Sequence, residues 1–136
     1  GQIYKNKIAQ LDKDFSLFIN NLEKNNRYLV TCEGAFSYLT NDYGLKEAYL
    51  WPVNAESQIT PKRMARTISL VKNKNIPSVF CESTVSNESQ MVVARETGAN
   101  FAGDLFVDSL SQDNESANTY LKMLQHNLTL IKKGLN

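Results

Sequence analysis

The sequence has little of several residue types that common classes of protein require. Its 136 residues include one His and two Cys, too few for a Cys/His-rich metal site or for a framework of several disulfides. Fifteen basic residues against fourteen acidic ones leave a net charge of +1, so the chain lacks the positive field that nucleic-acid binding needs. The chain begins with Gly1 rather than Met, so the lack of a signal peptide carries no information on compartment.

Long apolar runs and phosphate-binding glycine motifs are also missing from the sequence. No apolar run approaches the ~20 residues that a membrane-spanning helix needs. The six glycines form neither the G-x-G-x-x-G pattern of dinucleotide sites nor a Walker A pattern. What remains is the composition of a globular domain, with 42% hydrophobic and 21% charged residues, at a length typical of one domain.

Helical and strand-like hydrophobic patterns alternate along the chain. Residues 3–24 carry apolar side chains at steps of three and four, which predicts a helix of about five turns. Short apolar runs then predict four strands, at residues 27–32, 48–53, 76–81 and 101–107. A helix is predicted after each strand, at residues 34–43, 61–74, 86–97 and 115–133.

Residues typical of helix ends support these bounds. Thr60 followed by Pro61 predicts an N-cap and a first helical residue. Gly44, Gly98 and Gly134 are predicted to end the helices that precede them. Because strands alternate with helices, the chain crosses back between successive strands, which favours parallel pairing. We therefore predict an α/β fold with a four-stranded, mostly parallel sheet flanked by helices.

Carboxylates directly follow three of the four predicted strands. Glu33 comes after the first, Glu82 after the third and Asp108 after the fourth. Ligands of open α/β sheets bind beyond the carboxyl ends of the strands, where side chains from neighbouring strands converge. Carboxylates held close together repel each other unless a proton or a cation lies between them. Oxygen ligands favour hard cations such as Mg²⁺, Ca²⁺ or Mn²⁺, so the pattern indicates a divalent-cation site.

Helix capping is the alternative explanation for these acidic residues. Asp108, followed by Ser109, is explained about equally well as a cap of the next helix. Glu is a poorer N-cap than Asp, so Glu33 and Glu82 are harder to explain in this way.

The cysteines, the histidine and the tryptophan each have a structural interpretation. A nucleophile at Cys81 would need a basic partner, usually His. The single histidine, His126, lies in the last predicted helix roughly opposite its apolar face, where we expect it to be solvated and neither ligand nor base. Cys32 and Cys81 are expected to be small core residues rather than a disulfide pair. Trp51 is expected to have an ordinary packing role rather than to line a cleft.

Several segments together resemble the metal-binding substrate-binding proteins of ABC transporters, also called the cluster A-I or cluster 9 receptors. The matching segments are Tyr28–Leu39, Tyr43–Trp51, Ile76–Val85, Leu105–Leu110 and Tyr120–Leu135. Members of this family have two α/β lobes joined by one long helix. The resemblance implies that residues 1–24 are the end of that helix and the leading helix of a lobe. Residues 25–136 are then the C-terminal metal-receptor lobe.

The resemblance also implies a set of metal ligands. The family holds its metal between the lobes, with two histidines from the first lobe and two residues from the second. The second-lobe pair corresponds to Glu33 and Asp108. Zinc receptors of the family typically carry His where this chain has Glu33, so the carboxylate favours Mn²⁺, with Zn²⁺ or Fe²⁺ as alternatives. Glu82 matches a position beyond the direct ligands, where we expect a supporting hydrogen bond or electrostatic role.

The implied function is that of a receptor rather than an enzyme. Such a receptor binds a divalent metal ion as cargo and delivers it to an ABC permease in the membrane. It would be extracytoplasmic, either free in a periplasm or lipid-anchored at the outer face of the cytoplasmic membrane. The N-terminal lobe with its two histidines lies outside this sequence. A metal-dependent hydrolase using the same carboxylates is the alternative, with Glu82 as the only obvious base.

Overall fold

The structure is a computed structural model that describes residues 1–53, 55, 59–107 and 117–136, with only the backbone of 117 and 118. The leading helix and the four β-α units predicted from the sequence are present. In chain order the elements are α1 Gln2–Asn21, β1 Tyr28–Thr31, α2 Ser37–Tyr43, β2 Lys46–Tyr49, α3 Pro61–Asn73, β3 Ser78–Glu82, α4 Glu88–Thr97, β4 Asn100–Leu105 and α5 Ala117–Leu135, with a 3-10 turn at Lys24–Asn26 between α1 and β1. Among the described residues, no helix is both long and apolar enough to cross a membrane.

The four strands form two parallel pairs that lie side by side. One hydrogen-bonded ladder joins β1 to β2, with Leu29 opposite Glu47, and the other joins β3 to β4, with Cys81 opposite Asp104. Strands β1 and β3 are neighbours at the centre, so the order across the layer is β2-β1-β3-β4. The predicted α/β class and parallel pairing are confirmed. The hydrogen-bonded ladder is divided at the centre rather than continuous across four strands.

Helices cover both faces of the strand layer, and each face has its own apolar core. Side chains alternate between the two faces along a strand, so Leu29 packs on one side and its neighbour Val30 on the other. Helices α1, α2 and α5 enclose the first cluster, whose buried members are Phe15, Ile19, Leu29, Phe36, Leu39, Leu45, Phe80, Leu105, Leu128, Ile131 and Leu135. Helices α3 and α4 enclose the second, whose buried members are Tyr28, Val30, Cys32, Leu50, Trp51, Val71, Ile76, Val79, Cys81, Val93 and Ala94.

The helix-end predictions are confirmed at three helix ends. The Thr60 side chain accepts a hydrogen bond from the Arg63 N–H at 3.1 Å, and Pro61 is the first residue of α3. Gly44 and Gly98 follow α2 and α4 in the left-handed conformation, with φ of 74° and 81°. Glycine adopts this conformation at little cost, which explains why each helix ends there.

Gly134 does not end the last helix, so that prediction is wrong. It lies inside α5, where the helix runs close to the strand layer. A Cβ atom at this position would lie 2.7 Å from the Phe80 Cζ and 3.3 Å from the Ala102 Cβ. Glycine is therefore needed here for the close approach of a helix to a strand rather than for its backbone freedom.

Candidate metal centre

Glu33 lies two residues beyond the end of β1, in the turn that leads to α2. Its side chain is partly buried. The preceding carbonyl, that of Cys32, accepts hydrogen bonds at 3.0 Å from the N–H groups of both Leu50 and Trp51. The residues just after β2 therefore brace the start of this turn. Trp51 itself is 1% exposed and belongs to the second apolar core, which confirms the packing role expected for it.

Glu82, the last residue of β3, places its carboxylate inside this turn. Its side chain is fully buried. Oε1 accepts hydrogen bonds from the N–H groups of Cys32 at 3.1 Å and Glu33 at 3.0 Å. Oε2 accepts one from Ala35 at 3.3 Å and a second, shared bond from Glu33 at 3.2 Å. Burial raises the pKa of the Glu82 carboxyl above its usual range, and the backbone hydrogen bonds oppose that rise in part.

The remaining N–H groups of the turn are also satisfied by side chains. The Gly34 N–H donates to the Thr31 hydroxyl oxygen at 3.3 Å. The Phe36 N–H donates to Oε2 of Glu47 at 3.2 Å, and the Ser37 hydroxyl donates to Oε1 of the same carboxylate at 2.8 Å. All five consecutive N–H groups from residue 32 to residue 36 are therefore accepted by side chains. These contacts restrain the backbone of the turn to one conformation.

Gly34 is required by the shape of the turn. Its φ of +72° lies in the left-handed region, and an added Cβ would lie 2.7 Å from Cδ1 of the Tyr49 ring. Both the backbone conformation and the close contact exclude a larger side chain at this position. The residue that follows Glu33 thus fixes the path of the chain across the end of β2.

Cys32 and Cys81 form a disulfide, so the expectation of two unpaired core cysteines is wrong. Both residues are fully buried, and their Cα atoms lie 4.8 Å apart. The bond joins β1 to β3, the two central strands that belong to different ladders. The sequence feature that could have indicated this disulfide is the repeated Cys-Glu pair, Cys32-Glu33 and Cys81-Glu82, near the ends of two strands.

The two cysteines and Glu82 lie within 4.8 Å of one another, but they do not form a metal site. The sulfur atoms are bonded to each other and offer no thiolate. Both oxygens of Glu82 accept backbone hydrogen bonds. Because Glu82 is fully buried, it also cannot contact a substrate as the base of the hydrolase considered above.

Asp108 lies outside the described residues, so the structure brings Glu33 and Glu82 together but does not test the pairing of Glu33 with Asp108. The described segment that precedes Asp108 ends at Val107. A residue of α5 fixes the end of this segment by two hydrogen bonds to Phe106. The buried Asn127 side chain donates from Nδ2 to the Phe106 carbonyl at 2.8 Å and accepts the Phe106 N–H on Oδ1 at 2.8 Å. The sequence feature that could have indicated this role of Asn127 is a polar amide on the predicted apolar face of the helix, three residues after Leu124.

His126, the residue before Asn127 in α5, is exposed, as predicted. Its Nε2 lies 3.1 Å from the Asp104 carbonyl oxygen. Its ring centroid lies 4.6 Å from that of Phe106. The side chain therefore packs over the end of β4.

Comparison with known proteins identifies the class of this fold. Residues 1–134 match the family described as zinc-uptake complex component A, periplasmic. The chain belongs to this family. The iron-binding protein YfeA of Yersinia pestis is 43% identical over 134 residues, which cover 98% of this chain and 43% of that protein. The manganese ABC transporter substrate-binding lipoprotein PsaA of Streptococcus mitis is 31% identical over 132 residues, which cover 97% of this chain and 43% of that protein.

Solved structures of the same class have the same fold. The cadmium-bound periplasmic metal-binding protein of Candidatus Liberibacter asiaticus matches with a TM-score of 0.82 and 36% identity, covering 99% of this chain and 50% of that one. Its manganese-bound form matches with a TM-score of 0.81 at the same identity and coverage. The resemblance seen in the sequence is thus confirmed. The chain spans half or less of the length of each of these relatives.

Proposed function

We propose that this chain is the C-terminal lobe of an extracytoplasmic receptor that binds a divalent transition metal and delivers it to an ABC permease in the membrane. Residues 1–24 would be the end of the inter-lobe helix and the leading helix of the lobe, and residues 25–136 the lobe itself. The names of the relatives support the binding of a metal and its delivery to a permease. One relative is a manganese ABC transporter lipoprotein, and others are periplasmic metal-binding proteins.

The observation that carries the proposal is the preformed turn that bears Glu33. Glu82 accepts the N–H group of Glu33 itself, and Glu47 accepts that of Phe36 at the end of the turn. The backbone of Glu33 is thus held by the fold, which would lower the ordering cost of binding a metal there. A ligand that is held in advance binds more tightly, and metal sites commonly depend on such supporting hydrogen bonds.

The proposed ligand set is Glu33 and Asp108 from this lobe with two histidines from a preceding lobe. Glu82 is a supporting residue that acts through the Glu33 backbone. Two carboxylates with two imidazoles suit Mn²⁺ well, and Fe²⁺ or Zn²⁺ are the alternatives. We favour Mn²⁺ because a carboxylate at Glu33 makes the site harder than a third imidazole would.

Delivery to a permease requires that binding be tight in one state and weak in another. Ligands divided between two lobes meet this requirement, because separation of the lobes removes half of the coordination shell. The receptor would be either free in a periplasm or lipid-anchored at the outer face of the cytoplasmic membrane. Its direct partner in both cases is the permease.

Metal titration tests the division of ligands between lobes. We expect Mn²⁺ to bind this chain weakly and the two-lobed protein at least a hundredfold more tightly, a difference of roughly 2.7 kcal/mol. Equal affinities for the single lobe and the complete protein would overturn the two-lobed mechanism.

Substitutions in the complete protein test the individual ligands. Glu33→Ala and Asp108→Ala are each expected to weaken Mn²⁺ binding strongly, because each removes one oxygen ligand. Glu96→Ala removes an exposed carboxylate on α4, and His126→Ala removes the exposed imidazole; neither should change the affinity. Loss of binding in both controls, or unchanged binding in both ligand variants, would contradict the assignment.

A further inference from the structure

A groove runs along the outer edge of β2, between this strand and α3. Residues 47–49 of β2 form one wall, and the other wall includes Arg63, Arg66 and Leu70 of α3. The groove has a volume of about 330 Å³, which accommodates several side chains of a partner but not a folded domain. The shape of this surface therefore suits an extended segment of another chain.

The backbone of β2 presents hydrogen-bonding groups along this edge. The Lys46 N–H donates to the Arg27 carbonyl, on the side of β1. Backbone groups of successive residues in a strand point to opposite sides, so the N–H and C=O groups of Glu47 and Tyr49 point away from β1. No strand in the described part of the chain pairs with this outer edge. An extended segment can therefore add to β2 as a further strand.

The charged side chains of the groove favour an acidic partner. The Arg63 guanidinium lies 5.4 Å from the centroid of the Tyr49 ring, and Arg66 is exposed about one turn further along α3. Glu47 is the one carboxylate among the described lining residues, and both of its oxygens accept hydrogen bonds from the start of α2. Among the described residues, no carboxylate pairs with either guanidinium. Both arginines can therefore bind the carboxylates of a partner.

Tyr49 connects the groove to the turn that bears Glu33. The ring that lies under the Arg63 guanidinium also lies against Gly34, where an added Cβ would be 2.7 Å from its Cδ1 atom. A segment bound in the groove is thus one side chain away from the residue that follows Glu33. A partner that receives the metal ion has to bind close to the metal ligands, and this groove meets that requirement.

We propose that the groove is a docking surface for an extended, acidic segment of the ABC permease. The segment pairs with the free edge of β2 and places its carboxylates against Arg63 and Arg66. This inference rests on the proposed function, because the permease is the partner to which such a receptor delivers its ion. The two unpaired arginines define the charge of the segment, and the free strand edge defines its conformation.

Charge reversal tests the two arginines. The complete two-lobed receptor, loaded with Mn²⁺, is titrated onto its permease in lipid nanodiscs, and the dissociation constant is measured by biolayer interferometry. Arg63→Glu/Arg66→Glu should weaken docking by about tenfold or more, because like charges then face each other. The matched control, Lys72→Glu/Arg95→Glu, makes the same change of net charge at exposed residues that do not line the groove, and it should dock with the wild-type affinity.

Two results of this titration would overturn the proposal. One is docking of the Arg63→Glu/Arg66→Glu receptor with the wild-type affinity. The other is an equal loss in both double variants, which would show that only the net charge of the receptor matters. Sedimentation of the receptor alone tests a second copy as the occupant. A dimer that the Arg63→Glu/Arg66→Glu changes dissociate would assign the groove to that copy and also overturn the proposal.

Hydrogen exchange tests the pairing with β2 in the wild-type receptor. The amide hydrogens of Glu47 and Tyr49 should exchange about tenfold more slowly, or slower still, when the permease is bound, because they then donate to the added strand. Fragmentation to single residues in the mass spectrometer separates them from the amides that already bond to β1. Unchanged exchange of both amides in the complex would refute the addition of a strand.

Metal titration separates a failure of this inference from a failure of the proposed function. Arg63→Glu/Arg66→Glu should keep the wild-type affinity for Mn²⁺, since neither arginine is a proposed ligand, and a loss of that affinity would count against a role in docking. If this variant docks normally while Glu33→Ala abolishes Mn²⁺ binding, the docking surface is wrong and the receptor function stands. If Glu33→Ala leaves the Mn²⁺ affinity unchanged, the proposed function itself fails.

Discussion

The Glu82→Gln substitution changes the acceptor groups inside the turn that bears Glu33 with little change in side-chain volume. In the wild type, two carboxylate oxygens accept hydrogen bonds from the N–H groups of Cys32, Glu33 and Ala35. Glutamine keeps one oxygen, and its amide NH₂ replaces the other. At least one backbone N–H then faces another donor instead of an acceptor.

The expected loss of stability follows from these contacts. An unmade hydrogen bond to a buried N–H costs about 1–3 kcal/mol, and the remaining bonds weaken because their acceptor is no longer charged. Relief from burying the charged carboxylate offsets part of this loss. We therefore expect Glu82→Gln to lower the free energy of unfolding by about 2 kcal/mol. For a chain of this length, that change lowers the melting temperature by roughly 8 °C.

Urea unfolding followed by circular dichroism measures this quantity directly. Glu47→Gln is the matched control, because Glu47 accepts hydrogen bonds from the same turn but is partly exposed. Water can replace its lost contacts, so this variant should lose less than about 1 kcal/mol. A loss in Glu82→Gln no greater than that in Glu47→Gln would refute the view that Glu82 holds the turn.

Two further predictions concern helix packing and alkaline stability. Gly134→Ala should destabilise the protein by about 1–3 kcal/mol, because the new Cβ meets the Phe80 ring. This cost exceeds the gain from the higher helix propensity of alanine. A variant that is more stable than the wild type in urea unfolding would contradict this. Burial and the hydrogen bond to Asp12 raise the pKa of Tyr43, so its contribution is full below the unfolded-state pKa of about 10 and is lost as pH rises further. Tyr43→Phe should flatten this alkaline loss in unfolding experiments between pH 8 and 11, and an unchanged alkaline slope would show that Tyr43 does not cause it.

Elements whose formation depends on residues close together in the sequence could be predicted from it. The apolar stripe of α1 and the Thr60-Pro61 start of α3 depend on residues within one or two turns, and both are found in the structure. Strand β2 is different, because its apolar run predicted residues 48–53 and the strand is Lys46–Tyr49. Its bounds are determined by pairing with β1, which a single segment does not encode.

The candidate site shows the same division between local and distant information. Glu82 is the last residue of β3 and Glu33 lies two residues beyond β1, so both are within two residues of the predicted places. The sequence could not show that Glu82 is buried against the turn of Glu33, because that contact joins residues 49 positions apart. The disulfide and the contact of Gly134 with Phe80 are likewise set by the arrangement of the layers and not by neighbouring residues.

The disulfide also has a consequence for the unfolded chain. Its cysteines are 49 residues apart in sequence, so the bond closes a loop that contains α2, β2 and α3. In the chain-entropy description, closing a loop of this length restricts the unfolded ensemble by about 4 kcal/mol at 25 °C. Before oxidation the unfolded ensemble lacks this restriction, so the free energy of unfolding is lower. Oxidation therefore stabilises the folded chain without adding a contact to its apolar cores, by restricting the unfolded ensemble.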